Sequence, residues 1–143
     1  MIKKAETIYR QVLGESKKDS NILGLFLSGS RGKGLPTEHS DFDVVMIVKD
    51  GKEGSYKRKY AYIKGIRYID VYIMGYPRFR KYAHFGGPDH WDRYSFTHVK
   101  VSVDKKDIQK LIGKKGRIPP KFVKKYVSGM LDGYINYVYR SAL

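Results

Sequence analysis

Residues 25–48 read LFLSGSRGKGLPTEHSDFDVVMIV. Two apolar runs flank a polar connection, and that connection holds both a glycine-rich turn and a pair of closely spaced carboxylates. The run at 22–27 is short, apolar and bounded by turn signals, which predicts a buried strand ending at Ser28-Gly29-Ser30. Glycines 29, 32 and 34 interrupt regular structure, and Pro36 stops any helix before the chain re-enters a strand at Phe42. That second strand contains the unbroken run VVMIV, as expected of a strand covered on both faces at the centre of a sheet. If the two strands pair antiparallel, the turn and the carboxylates meet at one end of the sheet.

The chemistry follows from residue type and spacing. Asp41 and Asp43 lie at i and i+2, so on extended backbone both carboxylates leave one face, and their repulsion calls for a cation. Such a pair can bridge two Mg²⁺ ions roughly 3.5–4 Å apart, which clamp the attacking and leaving oxygens of a phosphoryl displacement. Gly29 allows close backbone approach to a phosphate, Ser30 adds a donor, and Arg31 and Lys33 supply positive charge. Neither the GxxxxGK[ST] loop nor a strand–GxGxxG–helix unit is present, which argues against P-loop and dinucleotide-binding folds.

Outward from this stretch, residues 2–16 repeat apolar side chains at helical spacing and predict an amphipathic surface helix. Beyond it, KRKYAYI and IRYIDVYIM flank Lys64-Gly65 with period-two alternation, which predicts a hairpin. On its second arm Tyr68, Asp70 and Tyr72 face one way; a carboxylate within so apolar a strand is costly unless paired or metal-bound. Residues 75–92 predict a short basic helix and a Gly-Gly-Pro loop, 96–103 a strand, and 107–115 a helix capped by Asp104 or Asp107. From Pro119-Pro120 a helix with a wide apolar face is expected over 120–143. It has no stop signal, so the chain is open to continuation there. Packing on the sheet is its expected role, with a helical partner or a homodimer as alternatives. His39, His84, His90 and His98 lack a metal-ligand spacing, and Trp91 is expected in the core rather than stacked on a base.

At 143 residues one domain is expected, spanning 1–143. Twenty-nine Lys and Arg against fourteen Asp and Glu give a formal charge of +15, which attracts polyanions. With no cysteine there is no disulfide, thiolate ligand or thiol nucleophile. No apolar run approaches the roughly 20 residues of a membrane span, and the opening MIKKAET carries no apolar signal core, so a cytoplasmic location without membrane contact is expected.

Gly29-Ser30, ten residues, then Asp41-Phe42-Asp43-Val44 resembles the signature of the DNA polymerase β-like nucleotidyltransferase superfamily, and GSRGKG most resembles its minimal and antibiotic-type members. The core of the likeness spans residues 25–74. It implies an α/β (α+β) nucleotidyltransferase fold with a mixed central sheet flanked by helices. It also implies an NTP donor, ATP before others, held by Gly29, Ser30, Arg31 and Lys33. Two Mg²⁺ ions would be held by Asp41, Asp43 and Asp70, and Asp70 matches the third carboxylate that helps deprotonate the acceptor hydroxyl. Where relatives carry a small residue and arginine, this chain has Gly32 and Lys33, a less rigid phosphate contact than a guanidinium fork. The acceptor stays open between nucleic acid and a protein partner. Polycationic aminoglycosides rank lower against a +15 surface. A non-catalytic basic nucleic-acid-binding module on the same fold is the alternative.

Overall fold

A computed structural model describes residues 2–84 and 90–117, together with isolated positions 120, 123, 128, 129 and 131. The expected helix over 120–143 and the Gly-Gly-Pro loop therefore lie outside the described residues, as does the side chain of Trp91. Helix α1 (Ile2–Lys18) buries Ala5, Ile8, Val12 and Ser16, a stripe at steps of three and four residues. Its C-terminal carbonyls are met by a lysine from far along the chain, Lys105 Nζ donating to Ser16 O at 2.9 Å and to Asp19 O at 2.8 Å.

Strands β1 (Ile22–Leu27) and β2 (Phe42–Val48) match the sequence reading and pair antiparallel, with Leu27 opposite Val44. Between them a single helical turn, α2 (Gly29–Gly32), replaces an irregular connection. A Cβ at Gly32 would collide with the carbonyl oxygen of Leu27, so the tightness of this turn depends on glycine.

The expected hairpin is not formed. Residues 57–63 are helical instead, in α3 (Glu53–Lys59) and a 3₁₀ turn (Ala61–Ile63). The chain then crosses over to β3 (Ile69–Gly75), which runs parallel to β2. The reason is legible afterwards: Tyr56, Tyr60 and Ile63 lie at i, i+4 and i+7 and are all buried, so the helical period has a core to satisfy. The twenty residues between β2 and β3 suit a crossover, which a parallel pair requires.

After β3 come α4 (Tyr76–Lys81), a 3₁₀ segment (His90–Phe96), β4 (Val101–Asp104) and α5 (Ile108–Lys115). The strand expected over 96–103 shrinks to β4, because His98 adopts φ 62°, a left-handed conformation that interrupts extended backbone. Asp104 is the side chain that caps α5, Oδ1 accepting from Ile108 N at 2.8 Å and Oδ2 from Gln109 N at 3.0 Å.

The four strands form one mixed sheet in the order β3-β2-β1-β4. One face packs under α1 and α3 with Ala5, Val12, Val44, Met46, Tyr60 and Ile69. The other packs under α4, the 3₁₀ segment and α5 with Phe26, Ile47, Phe79, Phe96 and Ile112. Phe26, Phe79 and Phe96 stand with ring centroids 6.1–6.3 Å apart and form the centre of this second cluster. Among the described residues no helix is long and apolar enough to cross a membrane.

Candidate active site

The C-terminal end of β1 and the N-terminal ends of β2 and β3 lie together at one end of the sheet. Ser28 N donates to Asp43 O at 2.8 Å, tying the glycine turn to the acidic strand. Gly29 has φ +62°, and a Cβ there would collide with Asp43 Oδ2, so its main chain lies against that carboxylate in a conformation that favours glycine. In the parallel ladder Asp43 is paired in register with Asp70. Side chains of odd number on β2 and even number on β3 share one face, the face of α4 and α5, and Asp41 precedes Asp43 by the same two-residue step.

Electrostatics report the grouping. Burial pushes the Asp43 carboxyl above the usual carboxylate range, and the nearby charges of Asp41 and Asp70 push it in the same direction. Asp41 and Asp70 are exposed, and Asp43 is half-buried. The cost inferred for Asp70 from its apolar strand context is not incurred: β3 is an edge strand, and Asp70 is exposed. Its place in the site rests on register with Asp43 rather than on desolvation. Among the described residues no three His, Cys, Asp or Glu side chains converge closely enough as they stand to hold a metal. The donor set nevertheless fits a hard cation. It is all oxygen, and the repulsion from Asp41 and Asp70 that adds to the effect of burial on Asp43 is what a cation would relieve.

The residues read as phosphate contacts divide. Gly29 lines the cleft, whereas Ser30 Oγ donates to Ser40 Oγ at 2.7 Å, and that oxygen also accepts from Thr37 N at 2.8 Å. Arg31 is held inside the loop: Nε donates to Ser40 O at 2.9 Å, and the guanidinium lies 4.0 Å from the ring centroid of Phe42. Lys33 reaches across to the 3₁₀ segment, Nζ 3.1 Å from the ring centroid of Tyr94. Ser30 and Arg31 thereby fasten the two ends of the 28–42 connection, and Lys33 bridges it to another part of the fold.

Beside these groups lies a cleft of about 330 Å³, lined by Ser28, Gly29, Asp43, Tyr72, Phe79 and Tyr82 among others. The sequence reading did not single out Tyr72 or Tyr82 for the site. Tyr72 was legible from its two-residue step beyond Asp70; Tyr82 was not, because only the turn after α4 brings it to the cleft.

The chain matches the family model described as the nucleotidyltransferase domain over residues 9–125, most of its length. It belongs to that family, within the DNA polymerase β-like superfamily, and its mixed sheet flanked by helices is the corresponding fold. No curated protein matches the chain. Membership supports a transferase activity that moves a nucleotidyl group, in a family that generally uses an NTP and a divalent metal.

Proposed function

We propose that this protein transfers a nucleoside monophosphate from an NTP, ATP by resemblance, to an acceptor hydroxyl, with release of pyrophosphate. The observation that carries the reading is the registered pair Asp43–Asp70, set on one sheet face beside Gly29, whose missing side chain leaves room for the Asp43 carboxylate. Asp41, Asp43 and Asp70 are the residues that would hold two Mg²⁺ ions, which when bound stabilise charge on the α-phosphate and on the leaving pyrophosphate.

The protein's own groups then have separate tasks. The main chain at Gly29 approaches the triphosphate, joined by the Ser30 hydroxyl after release from Ser40 and by Lys33, which supplies positive charge after release from Tyr94. Arg31, engaged with Ser40 and Phe42, holds the shape of the loop. Asp70, exposed at the edge, accepts the proton of the attacking hydroxyl. The acceptor oxygen bonds to the α-phosphorus as the bond to the bridging α–β oxygen breaks, in line, and pyrophosphate departs with that electron pair. A cytoplasmic setting with a nucleic-acid or protein acceptor completes the reading, and the +15 charge disfavours a polycationic one.

Incubation with NTPs labelled at the α-phosphate, Mg²⁺ and a cell extract tests it. A labelled macromolecule that disappears with Asp41→Ala and with chelation supports the transfer. Asp70→Asn should abolish transfer while largely sparing NTP binding, and retained turnover would remove Asp70 from its role.

A further inference from the structure

Neither α4, YPRFRK, nor α5, IQKLIGKK, contains an acidic residue. The two helices cover the same sheet face and are joined at their C-terminal ends. Lys115 is buried there, and its Nζ donates to Arg80 O at 3.1 Å and to Tyr82 O at 2.5 Å. Around this junction Arg78, Arg80, Lys81, Lys110, Lys114 and Arg117 are exposed, and among the described residues none of them forms an ion pair.

Of the carboxylates on this side of the sheet, Asp41, Asp43 and Asp70 lie at the cleft, and two of those beside the helices are engaged. Asp104 caps α5, and Asp92 accepts from the Tyr82 hydroxyl, which leaves Asp107 as an exposed acid at the start of α5. Lys110 and Lys114 lie one turn apart on α5, about 6 Å by helical rise, and Arg117 follows just past the C-cap Gly116 to complete a basic stripe. The Lys110–Lys114 rise alone spans about two phosphate steps along one strand of a nucleic acid. The stripe lines a groove of about 670 Å³ with Asp104, Asp107 and Gln109.

Through α4 this face reaches the reaction cleft, since Phe79 of α4 and the adjoining Tyr82 line it. Tyr72 lines this cleft at 58% exposure, and Tyr94, 72% exposed, has Lys33 over its ring. Exposed aromatic rings beside unpaired cations suit bases and phosphates together, a combination that an acidic polypeptide does not exploit.

We propose that the α4–α5 face docks the phosphodiester backbone of a nucleic acid and so presents that polymer's hydroxyl to the cleft as the acceptor. The acceptor role rests on the nucleotidyl-transfer reading above; the docking does not. In the transfer, the nucleic-acid oxygen forms the new bond to the α-phosphorus, its proton passes to Asp70, and pyrophosphate leaves with the electrons of the broken phosphoanhydride.

The test is fluorescence anisotropy of a labelled 20-nucleotide single-stranded RNA against the full chain, without NTP or divalent metal, across a salt series. Wild-type binding should weaken steeply with salt. K110Q/K114Q/R117Q should lower the slope of log K against log salt by about 2, with a loss of affinity at 0.1 M salt of roughly tenfold or more. The three single variants should each take about a third of that slope, so a folding defect in the triple variant, visible in its thermal melt, leaves the comparison intact. K57Q should bind within about twofold of wild type, because Lys57 is exposed on α3, over the opposite face of the sheet. Binding unchanged across the stripe variants would overturn the proposal, as would polyglutamate displacing RNA as well as unlabelled RNA does at equal charge. If RNA binds as expected but no NTP is turned over with any acceptor, the transfer reading fails and the docking surface stands alone.

Discussion

The two faces of the sheet handle charge in opposite ways. Under α1 and α3, polar groups satisfy one another. Glu15 pairs with Lys59 at 2.9 Å and accepts from Tyr60 Oη at 3.0 Å, while Tyr56 Oη donates to Asp19 at 2.5 Å. The Glu15 carboxyl is held below its usual range chiefly by its hydrogen bond from Lys59, and the Tyr60 hydroxyl is pushed well up by burial and by Glu15. On the α4–α5 face, burial and then the charges of Asp41 and Asp70 raise Asp43, and among the described residues Arg78, Arg80, Lys81, Lys110, Lys114 and Arg117 stand exposed with no ion pair. Charge settled internally serves stability, whereas charge left unsettled is available to a ligand that brings the opposite sign.

The contrast is broken most severely by removing the central carboxylate. Asp43→Asn should lower nucleotidyl transfer by about 10³-fold or more while leaving stability unchanged or slightly higher, since it removes mutual repulsion. Labelled-NTP turnover beside urea unfolding checks both halves. Loss of stability comparable to the loss of activity would contradict the division of labour between the faces.

Next in size is the aromatic centre beneath the cleft. Phe26→Ala deletes the ring that both Phe79 and Phe96 contact and should cost about 3–5 kcal/mol, read as a shift of the urea midpoint at constant slope. Gly29→Ala should be milder for the fold and harsher for the site. Its positive φ and the collision with Asp43 predict a loss of about 1–3 kcal/mol together with a fall in turnover well beyond that of a remote variant of equal stability.

The smallest effect belongs to the settled face. Glu15→Gln should cost up to about 1 kcal/mol at neutral pH, as befits a partly exposed ion pair. The sign with pH follows from the depressed carboxyl. Its contribution is present above the ordinary carboxylate range and is lost as pH falls through the lowered folded value, so wild type and variant should converge in acid. Urea unfolding of both proteins from pH 7 down to about pH 3 measures this convergence; a difference that persists at the acid end would mean that packing, not ionisation, was lost.

Much of this arrangement could be read from the chain because local pattern and tertiary context agreed. The strand carrying VVMIV does occupy an interior position, and Asp41, one residue ahead of it, lies near enough for its charge to act on Asp43. The crossover was illegible for a definite reason: KRKYAYI satisfies a period of two and a period of 3.6 equally, and only the buried partners of Tyr56, Tyr60 and Ile63 decide between them. Arg31 illustrates a second limit. Residue type marks it as a phosphate ligand, but the carbonyl of Ser40 and the ring of Phe42, brought close by the 28–42 connection, give it other contacts. Asp70 shows a third, since whether a strand is central or marginal depends on strand order, which its own sequence does not encode.

The junction at Lys115 has a consequence for how this protein can change over generations. Its ammonium is fixed by main-chain carbonyls of residues 80 and 82, not by their side chains. Substitution at those two positions can therefore alter the character of the surface and the wall of the cleft without unfastening the helices, provided the lysine itself is kept. A lineage could retune what this face recognises while inheriting the same hinge pin.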